Sequence, residues 1–322
     1  MIAGLPYKRI AIVGGGLIGT SIAHGVRAKD PECLIAFADT NQQTAQELQE
    51  IFPDNLVSTD PAKAVRDADL IMLCVPVGAV GVVSGQIAAH IKPGATVSDV
   101  GSVKLSVMEA MQSAFGPDVH VIAGHPVAGS ERSGPKAGFA ELFENRFVIL
   151  TPDADALHSN AQVEALQNLT RFWRKLGSMV EVMDAKHHDR VLAITSHLPH
   201  LIAYTIVGTA ADMEEVADGE VMKYSAGGFR DFTRIAASDP VMWRDVFLNN
   251  KDAVLEVLGR FSEDLSALQR AIRWEDGDRL EAWFERTRAI RQGIVELGQD
   301  TDEIDFGRRS KPDPMPKPYG GD

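Results

Sequence analysis

The chain has 322 residues, enough for two domains of ordinary size that each bury a core of their own. Its 45 acidic and 32 basic residues leave a net charge of −13 with no basic block, which argues against nucleic acid or an anionic membrane surface as partner and points to a small molecule. No uninterrupted apolar run approaches the ~20 residues of a membrane span, and the opening "MIAGLPYKRIAIVGGG" enters a strand without a charged leader, so the cytoplasm is the expected location.

From Arg9 to about Met183, short apolar runs rich in Val and Ile alternate with stretches of helical period. Seven strands are predicted: "RIAIV", "LIAFAD", "LIMLCVP", "ATVSDV", "VHVIAG", "RFVIL" and "MVEVM". Several are apolar on both faces, the pattern of a mostly parallel sheet covered by helices on each side. Residues 1–183 therefore read as a Rossmann-like, doubly wound α/β domain. Cys33 and Cys74, the two cysteines, fall at the head of one run and inside another. They form neither a disulfide framework nor a CxxC motif and are expected to be buried as small hydrophobes.

The first strand runs into "VGGGLIGTS", which holds GxGxxG as Gly14, Gly16 and Gly19, with Leu17 and Ile18 opening a helix. These glycines permit a tight turn, a close approach of pyrophosphate to the backbone, and tight helix–strand packing, with the helix N-terminus facing the negative charge. A ligand-free glycine turn is the alternative. The context favours a dinucleotide, because a strand precedes the motif, a helix follows it, and the second strand ends in Asp39, twenty residues beyond Gly19. A carboxylate there accepts bonds from both ribose hydroxyls and repels a 2′-phosphate, which selects NAD over NADP. Val75 and Pro76, at the next strand end, either line the cofactor cleft or form a plain turn.

Ligands of such sheets bind beyond the carboxyl ends of the strands. Two candidate segments follow there: "SDVGSVK", with Gly101, Ser102 and Lys104, and "AGHPVAGSERSG", where His125 is set between glycine and proline. Oxidising an alcohol needs a base of near-neutral pKa, and His125 is placed to be one.

Past Met183 the strands stop. A helix is predicted from Asp184 as N-cap, with His187 and His188 near its start expected to be solvated. His197 and His200, three residues apart, share one helix face; without HExxH or a third ligand at a recognisable spacing no metal site is expected, and they are either core histidines or substrate contacts. In "GGFRDFTRIA", Arg234 either forks onto a carboxylate or forms a surface ion pair. A long helix starts at "SDPVMW", with Asp239 as cap and Pro240 at its first position. Its stripe of Val254, Leu258, Phe261, Leu265, Leu268 and Ile272 is a packing seam, within the domain or across a dimer. A last helix covers "LEAWFERTRAIRQGIVEL". From Pro312 to Pro318 every second residue is proline, so 305–322 reads as an extended, disordered tail after an all-helical domain at 184–304.

Together the segments "VGGGLIGTS", "DVGSVK", "GHPVAGSERSG", "SHLPH", "GGFRDFTRIAASDP" and "MWRDVF" resemble, in order and from Arg9 to about Leu297, the prephenate and arogenate (cyclohexadienyl) dehydrogenases of tyrosine biosynthesis. The resemblance implies a Rossmann domain followed by a helical dimerisation domain, a homodimer, and oxidative decarboxylation of prephenate to 4-hydroxyphenylpyruvate with hydride transfer to NAD. It implies that His125 polarises the ring hydroxyl and accepts its proton, and that Ser102 orients the histidine and the nicotinamide end. Arg234 would pair with a substrate carboxylate, His197 and His200 would lie near the substrate, and Glu131 and Asp231 would stand at the pocket entrance. Prephenate and arogenate share both carboxylates and differ in a keto or amino group, so arogenate or both remain open as substrates.

Two rival readings stand beside this one. A β-hydroxy-acid dehydrogenase of similar build would use a lysine in the helical half, for which Lys186 is the candidate. A dinucleotide-sensing protein would turn nothing over, against which a base, an orienting hydroxyl and a carboxylate clamp in one chain weigh.

Overall fold

The computed structural model describes residues 4–129, 132–214 and 225–296, and the chain divides into two compact units, Met1–Val257 and Leu258–Asp322. The first unit contains one sheet of eight strands: β1 (Arg9–Val13), β2 (Leu34–Ala38), β3 (Leu56–Ser58), β4 (Leu70–Leu73), β5 (Thr96–Asp99), β6 (His120–Pro126), β7 (Phe147–Pro152) and β8 (Met179–Val182). Their order is β3-β2-β1-β4-β5-β6-β7-β8, parallel throughout except between β6 and β7. Seven match predicted runs. The eighth, β3, is three residues at the sheet edge, too short to leave a period in the sequence.

The pleat explains why the strands are apolar throughout. In β1, Ile10 and Ile12 enter one core with Phe37, Met72 and Trp173, while Ala11 and Val13 enter the other with Ile71, Val97 and Met111. Helices α1 (Leu17–Lys29) and α2 (Gln42–Ile51) cover the first face; α3 (Pro61–Ala64), α4 (Val80–Ile87) and α5 (Leu105–Ala114) cover the second, and α6 (Asn160–Lys175) returns to the first. Each fully buried Ile, Leu or Phe in these layers stabilises the fold by roughly 1.5–3 kcal/mol. Cys33 is buried and Cys74 half-buried; burial pushes the Cys33 thiol up to about 12.

After β8 every described element is helical: α7 (Ala185–Leu192), a π-helical turn over Ala193–His197, α8 (Leu198–Glu214), α9 (Gly227–Thr233), α10 (Pro240–Asn249), α11 (Lys251–Arg273) and α12 (Gly277–Glu296). Asp184 caps α7 by accepting from the His187 N–H at 2.9 Å, and Asp239 caps α10 by accepting from Met242 at 2.7 Å. The single long helix expected from Pro240 is two. Asn250 interrupts it with a backbone at φ −111°, ψ 31°, and its side chain is buried in bonds described below. Along α11, Val254 is buried, Leu258, Phe261 and Leu268 are half-buried, and Leu265 and Ile272 are exposed.

The continuous helical run Ala185–Met213 contains a window of mean hydropathy 1.4, long and apolar enough to cross a membrane by composition alone. No uninterrupted apolar run marks it in the sequence, because the average tolerates scattered polar residues. In the same helical run His188, Asp189 and His197 are buried, and the first two are bonded to the sheet domain. Residues 297–322, including the proline-rich segment, lie outside the described residues.

Candidate active site

The carboxyl ends of β1, β2, β4, β5 and β6 share one edge of the sheet. At the first of them the chain turns through Gly14 at φ +106°, where a Cβ would stand 2.3 Å from the Cys74 carbonyl oxygen. Gly19 packs α1 onto the loop just as closely, since its Cβ would lie 2.3 Å from the Gly14 carbonyl oxygen. Gly16 differs: an added Cβ would meet nothing within 4 Å. It is the N-cap of α1 and offers no side-chain cap, and the first turn holds no acidic residue. The first-turn amides, those of Leu17 and Ile18 among them, have no intrahelical acceptors and form an anion cradle. Asp39 is fixed beside it, accepting from the Gly15 N–H at 2.8 Å and the Asn41 N–H at 2.9 Å. Open space at Gly16, free amides and a fixed carboxylate are the features a dinucleotide requires. Val75 is half-buried and Pro76 exposed in the turn after β4.

Behind the β5 and β6 ends lies a buried ion pair. Lys104 Nζ donates to Asp99 Oδ2 and, at 2.6 Å, to the Gly124 carbonyl oxygen. Asp99 accepts in turn from the N–H groups of Gly124 at 3.0 Å and Gly101 at 2.8 Å. Burial lowers the Lys104 pKa, and the Asp99 charge opposes that shift. The pair thus grips the peptide that carries His125.

His125 is buried, and its Nδ1 meets His188 Nε2 at 2.9 Å. His188 Nδ1 meets Asp189 Oδ1 at 2.8 Å, and the Asp189 carboxylate also accepts from the backbone N–H groups of Lys104 at 2.8 Å and Leu105 at 2.9 Å. The expectation that His188 is solvated is overturned: its relative exposure is 0%. Ala185, His188, Asp189 and Leu192 occupy one helical face of α7, and all four are buried; that spacing was the available signal. His187 is exposed, as is Lys186, the lysine of the rival reading. Burial holds His125 well below the ordinary histidine range, with His188, Lys104 and His197 adding to the shift. His188 is lowered too, by burial against the pull of Asp189.

A second group of bonds joins the helices. Asn250 Nδ2 donates to the Asp189 carbonyl oxygen at 2.9 Å and contacts His197 Nδ1 at 3.1 Å. The amide hydrogen makes Nδ1 of His197 the acceptor. His197 is fully buried, its pKa lowered to about 4 by burial. Its Nε2 has no partner in hydrogen-bond geometry, the Ser102 backbone being close enough only to bias the ring's titration. His200 is half-buried, stacked on Trp243 with ring centroids 3.7 Å apart, and its Nδ1 lies 2.8 Å from the Ser196 carbonyl oxygen. Trp243 and Val246 of α10 pack on Val103 and Val77 in the turns after β5 and β4, bringing the helices over the sheet edge.

The predicted residues therefore fall into groups. His125, His197 and His200 join one network of rings and bonds around Asp189 and Trp243. The Arg234 charge reaches His200 and lowers its pKa further, after burial. Ser102 is half-buried in the loop after β5, with its backbone near the His197 ring. Asp231 is exposed on α9, and Glu131 lies outside the described residues. Asp189, Trp243 and Asn250 were not singled out by sequence reasoning; Lys104 was named there without a role, and His188 only as a solvated residue.

Known proteins are similar over most of this chain. The family model described as the prephenate dehydrogenase nucleotide-binding domain matches residues 22–182, and that of the prephenate dehydrogenase dimerization domain matches 184–286. The cyclohexadienyl dehydrogenase of Zymomonas mobilis is 42% identical over 288 residues, 89% of this chain and 96% of that protein. The prephenate dehydrogenase of Lactococcus lactis is 34% identical, covering 89% and 77%. Among solved structures, prephenate dehydrogenase from Aquifex aeolicus in complex with hydroxyphenyl propionate and NAD+ superimposes with a TM-score of 0.81 at 31% identity, over 89% of this chain and 98% of that one. A Rossmann sheet ending in a glycine cradle, a buried histidine at a strand end and these two adjoining matches lead to one conclusion: the chain belongs to the prephenate dehydrogenase family.

Proposed function

We propose that the chain is an NAD-dependent prephenate dehydrogenase that converts prephenate to 4-hydroxyphenylpyruvate by oxidative decarboxylation. The observation that carries this reading is His125, a neutral buried imidazole on the sheet edge that also bears the glycine cradle. Bound NAD supplies the hydride acceptor. Gly14, Gly16 and Gly19, with the amides of Leu17 and Ile18, are assigned to its pyrophosphate, Asp39 to its ribose, and Val75 and Pro76 to the wall of the cleft.

His125 takes the proton of the ring hydroxyl as the electron pair of the adjacent C–H bond departs. When the ring carboxylate leaves as CO₂, the electron pair of that C–C bond aromatises the ring, and the ring oxygen recovers its proton from His125. A base in the first half and an acid in the second suit a histidine that is neutral at rest. Arg234 is assigned to a substrate carboxylate, supported by its electrostatic reach to His200. His197 and His200 are assigned to the substrate's surroundings, Asp231 and Glu131 to the pocket entrance, and Ser102 to His125 and the nicotinamide end. Residues 1–183 would bind the cofactor and 184–304 the substrate and a second subunit. The homodimer is supported by the family description of 184–286 and by the exposed Leu265, Ile272, Trp274 and Phe284. A cytoplasmic location fits a reaction that draws on the NAD pool.

Initial rates with prephenate and arogenate, each under NAD and NADP, test the reading. Prephenate with NAD is expected to turn over, and His125→Asn to lower kcat by ~10²- to 10⁴-fold with KM little changed. No turnover of either substrate would overturn it. A second reading, in which arogenate is also accepted, is supported by the Zymomonas relative, whose name covers the shared cyclohexadienyl ring. Sedimentation as a monomer at micromolar concentration would remove the dimer.

A further inference from the structure

The reaction as proposed uses one nitrogen of His125 and says nothing of the other. Nδ1 faces Nε2 of His188 at 2.9 Å, and the two rings stand at 76°. Which ring supplies the hydrogen follows from the far end of the chain. The Asp189 carboxylate accepts backbone N–H groups at 2.8 and 2.9 Å, one on each oxygen, so it is an ionised acceptor and the hydrogen of its 2.8 Å contact belongs to His188 Nδ1. A neutral imidazole carries one N–H, which leaves His188 Nε2 as a lone pair. The hydrogen between the histidines must then sit on His125 Nδ1, and His125 Nε2 is bare.

We infer that His188, oriented by Asp189, is a positioning residue that holds His125 in the Nδ1–H tautomer, so that Nε2 is the atom that receives the proton of the substrate hydroxyl. The inference rests on the reading of His125 as the base. In the reaction the hydroxyl O–H bond breaks and an Nε2–H bond forms, while Nδ1–H stays in its bond to His188. The proton does not travel along the chain. The Asp189 charge, one ring away, stabilises the transient imidazolium, and the same proton leaves Nε2 for the ring oxygen once CO₂ has gone. A protonated His188 would donate to Nδ1 instead, move the His125 hydrogen to Nε2 and silence the base. Burial of His188 and the nearby Lys104 charge oppose that state, against the pull of Asp189.

The tautomer is readable without substrate or cofactor. In protein labelled with ¹⁵N-histidine, long-range ¹H–¹⁵N correlation distinguishes protonated from bare ring nitrogens, and His125→Asn identifies the His125 signals by their loss. The wild-type His125 is expected to be protonated at Nδ1 and bare at Nε2; the reverse pattern would overturn the inference with no variant needed. In His188→Phe, which keeps ring volume but accepts nothing, the His125 signals should shift toward the Nε2–H form. kcat should fall ~10²- to 10⁴-fold, the range expected when a catalytic base is held in the wrong tautomer, with KM within about twofold. His188→Gln, whose carbonyl can accept from His125 while its amide donates to Asp189, should restore both the tautomer and most of kcat. An unchanged tautomer in His188→Phe would overturn the proposal. Should the wild-type tautomer be as expected while His125→Asn keeps full activity, the role of His125 as base fails and its orientation by His188 stands.

Discussion

Lys104 and Asp99, both fully buried, form an ion pair that holds the N–H and the C=O of Gly124, the residue immediately before His125. Breaking such a pair on one side strands a charge in the interior. Lys104→Met should therefore lower unfolding stability by about 3–5 kcal/mol. Lys104→Met combined with Asp99→Leu should cost clearly less than the sum of the single changes. Denaturant titration of the four proteins of the cycle measures this; additive losses would mean that the two groups act independently.

Acid should destabilise the protein through its buried histidines. The folded-state pKa values of His125, His188, His197 and His200 all lie below the ordinary one, so below pH 6.5 the unfolded chain binds protons that the folded chain refuses. Stability is then full above the unfolded pKa and falls as pH drops toward the folded values. For His197, lowered from 6.5 to about 4, the loss across that window is about 3 kcal/mol. Unfolding midpoints between pH 7 and pH 4 test the sign, and His197→Gln should lower stability at pH 7 while flattening the acid limb. A slope unchanged by the substitution would contradict it.

Arg234→Gln should weaken substrate binding far more than NAD binding. A carboxylate would lose a bidentate, charge-assisted partner, worth on the order of 2–4 kcal/mol in a shielded site. Separate titrations of a non-reacting substrate analogue and of NAD report the two affinities. Equal losses would assign Arg234 to the fold.

Asp39 should set cofactor choice. Its carboxylate is held by the Gly15 and Asn41 amides at the cradle and retains lone pairs for ribose hydroxyls, while opposing a 2′-phosphate. Asp39→Ser should raise the Michaelis constant for NAD about tenfold, the effect of losing one hydrogen bond to a charged group, and should narrow the gap to NADP. The constant for prephenate should stay in place. Unaltered enzyme that uses NADP as readily as NAD would remove Asp39 from the ribose.

Much of this fold was legible because its signals are local. Strand runs apolar on both faces, the spacing of Gly14, Gly16 and Gly19, and Asp39 at a strand end each state their structure within a few residues. His125 was legible for the same reason, as a polar residue at the end of an apolar run. The remainder of the site depends on long-range bonds. Asn250 breaks a helix because its side chain is engaged by Asp189 and His197, contacts separated by more than fifty residues. His188 and Asp189 resemble a solvated helix start by composition and are buried because Lys104, Leu105 and His125 satisfy them. β3 was missed for its length alone.

The open space at Gly16 bears on how variants of this chain would be sorted. Its backbone is extended, at φ −76° and ψ −169°, a conformation that any residue adopts, whereas side chains at Gly14 or Gly19 would collide with carbonyl oxygens. A mutant library screened only for yield or thermal endurance would discard changes at those two positions and retain alanine or serine at Gly16, where, on the proposed assignment of the glycine loop, the added atoms would occupy the place of the phosphates. Selection for robustness would thereby enrich well-behaved proteins that no longer bind their cofactor, so a dinucleotide-affinity step belongs at the start of any such campaign.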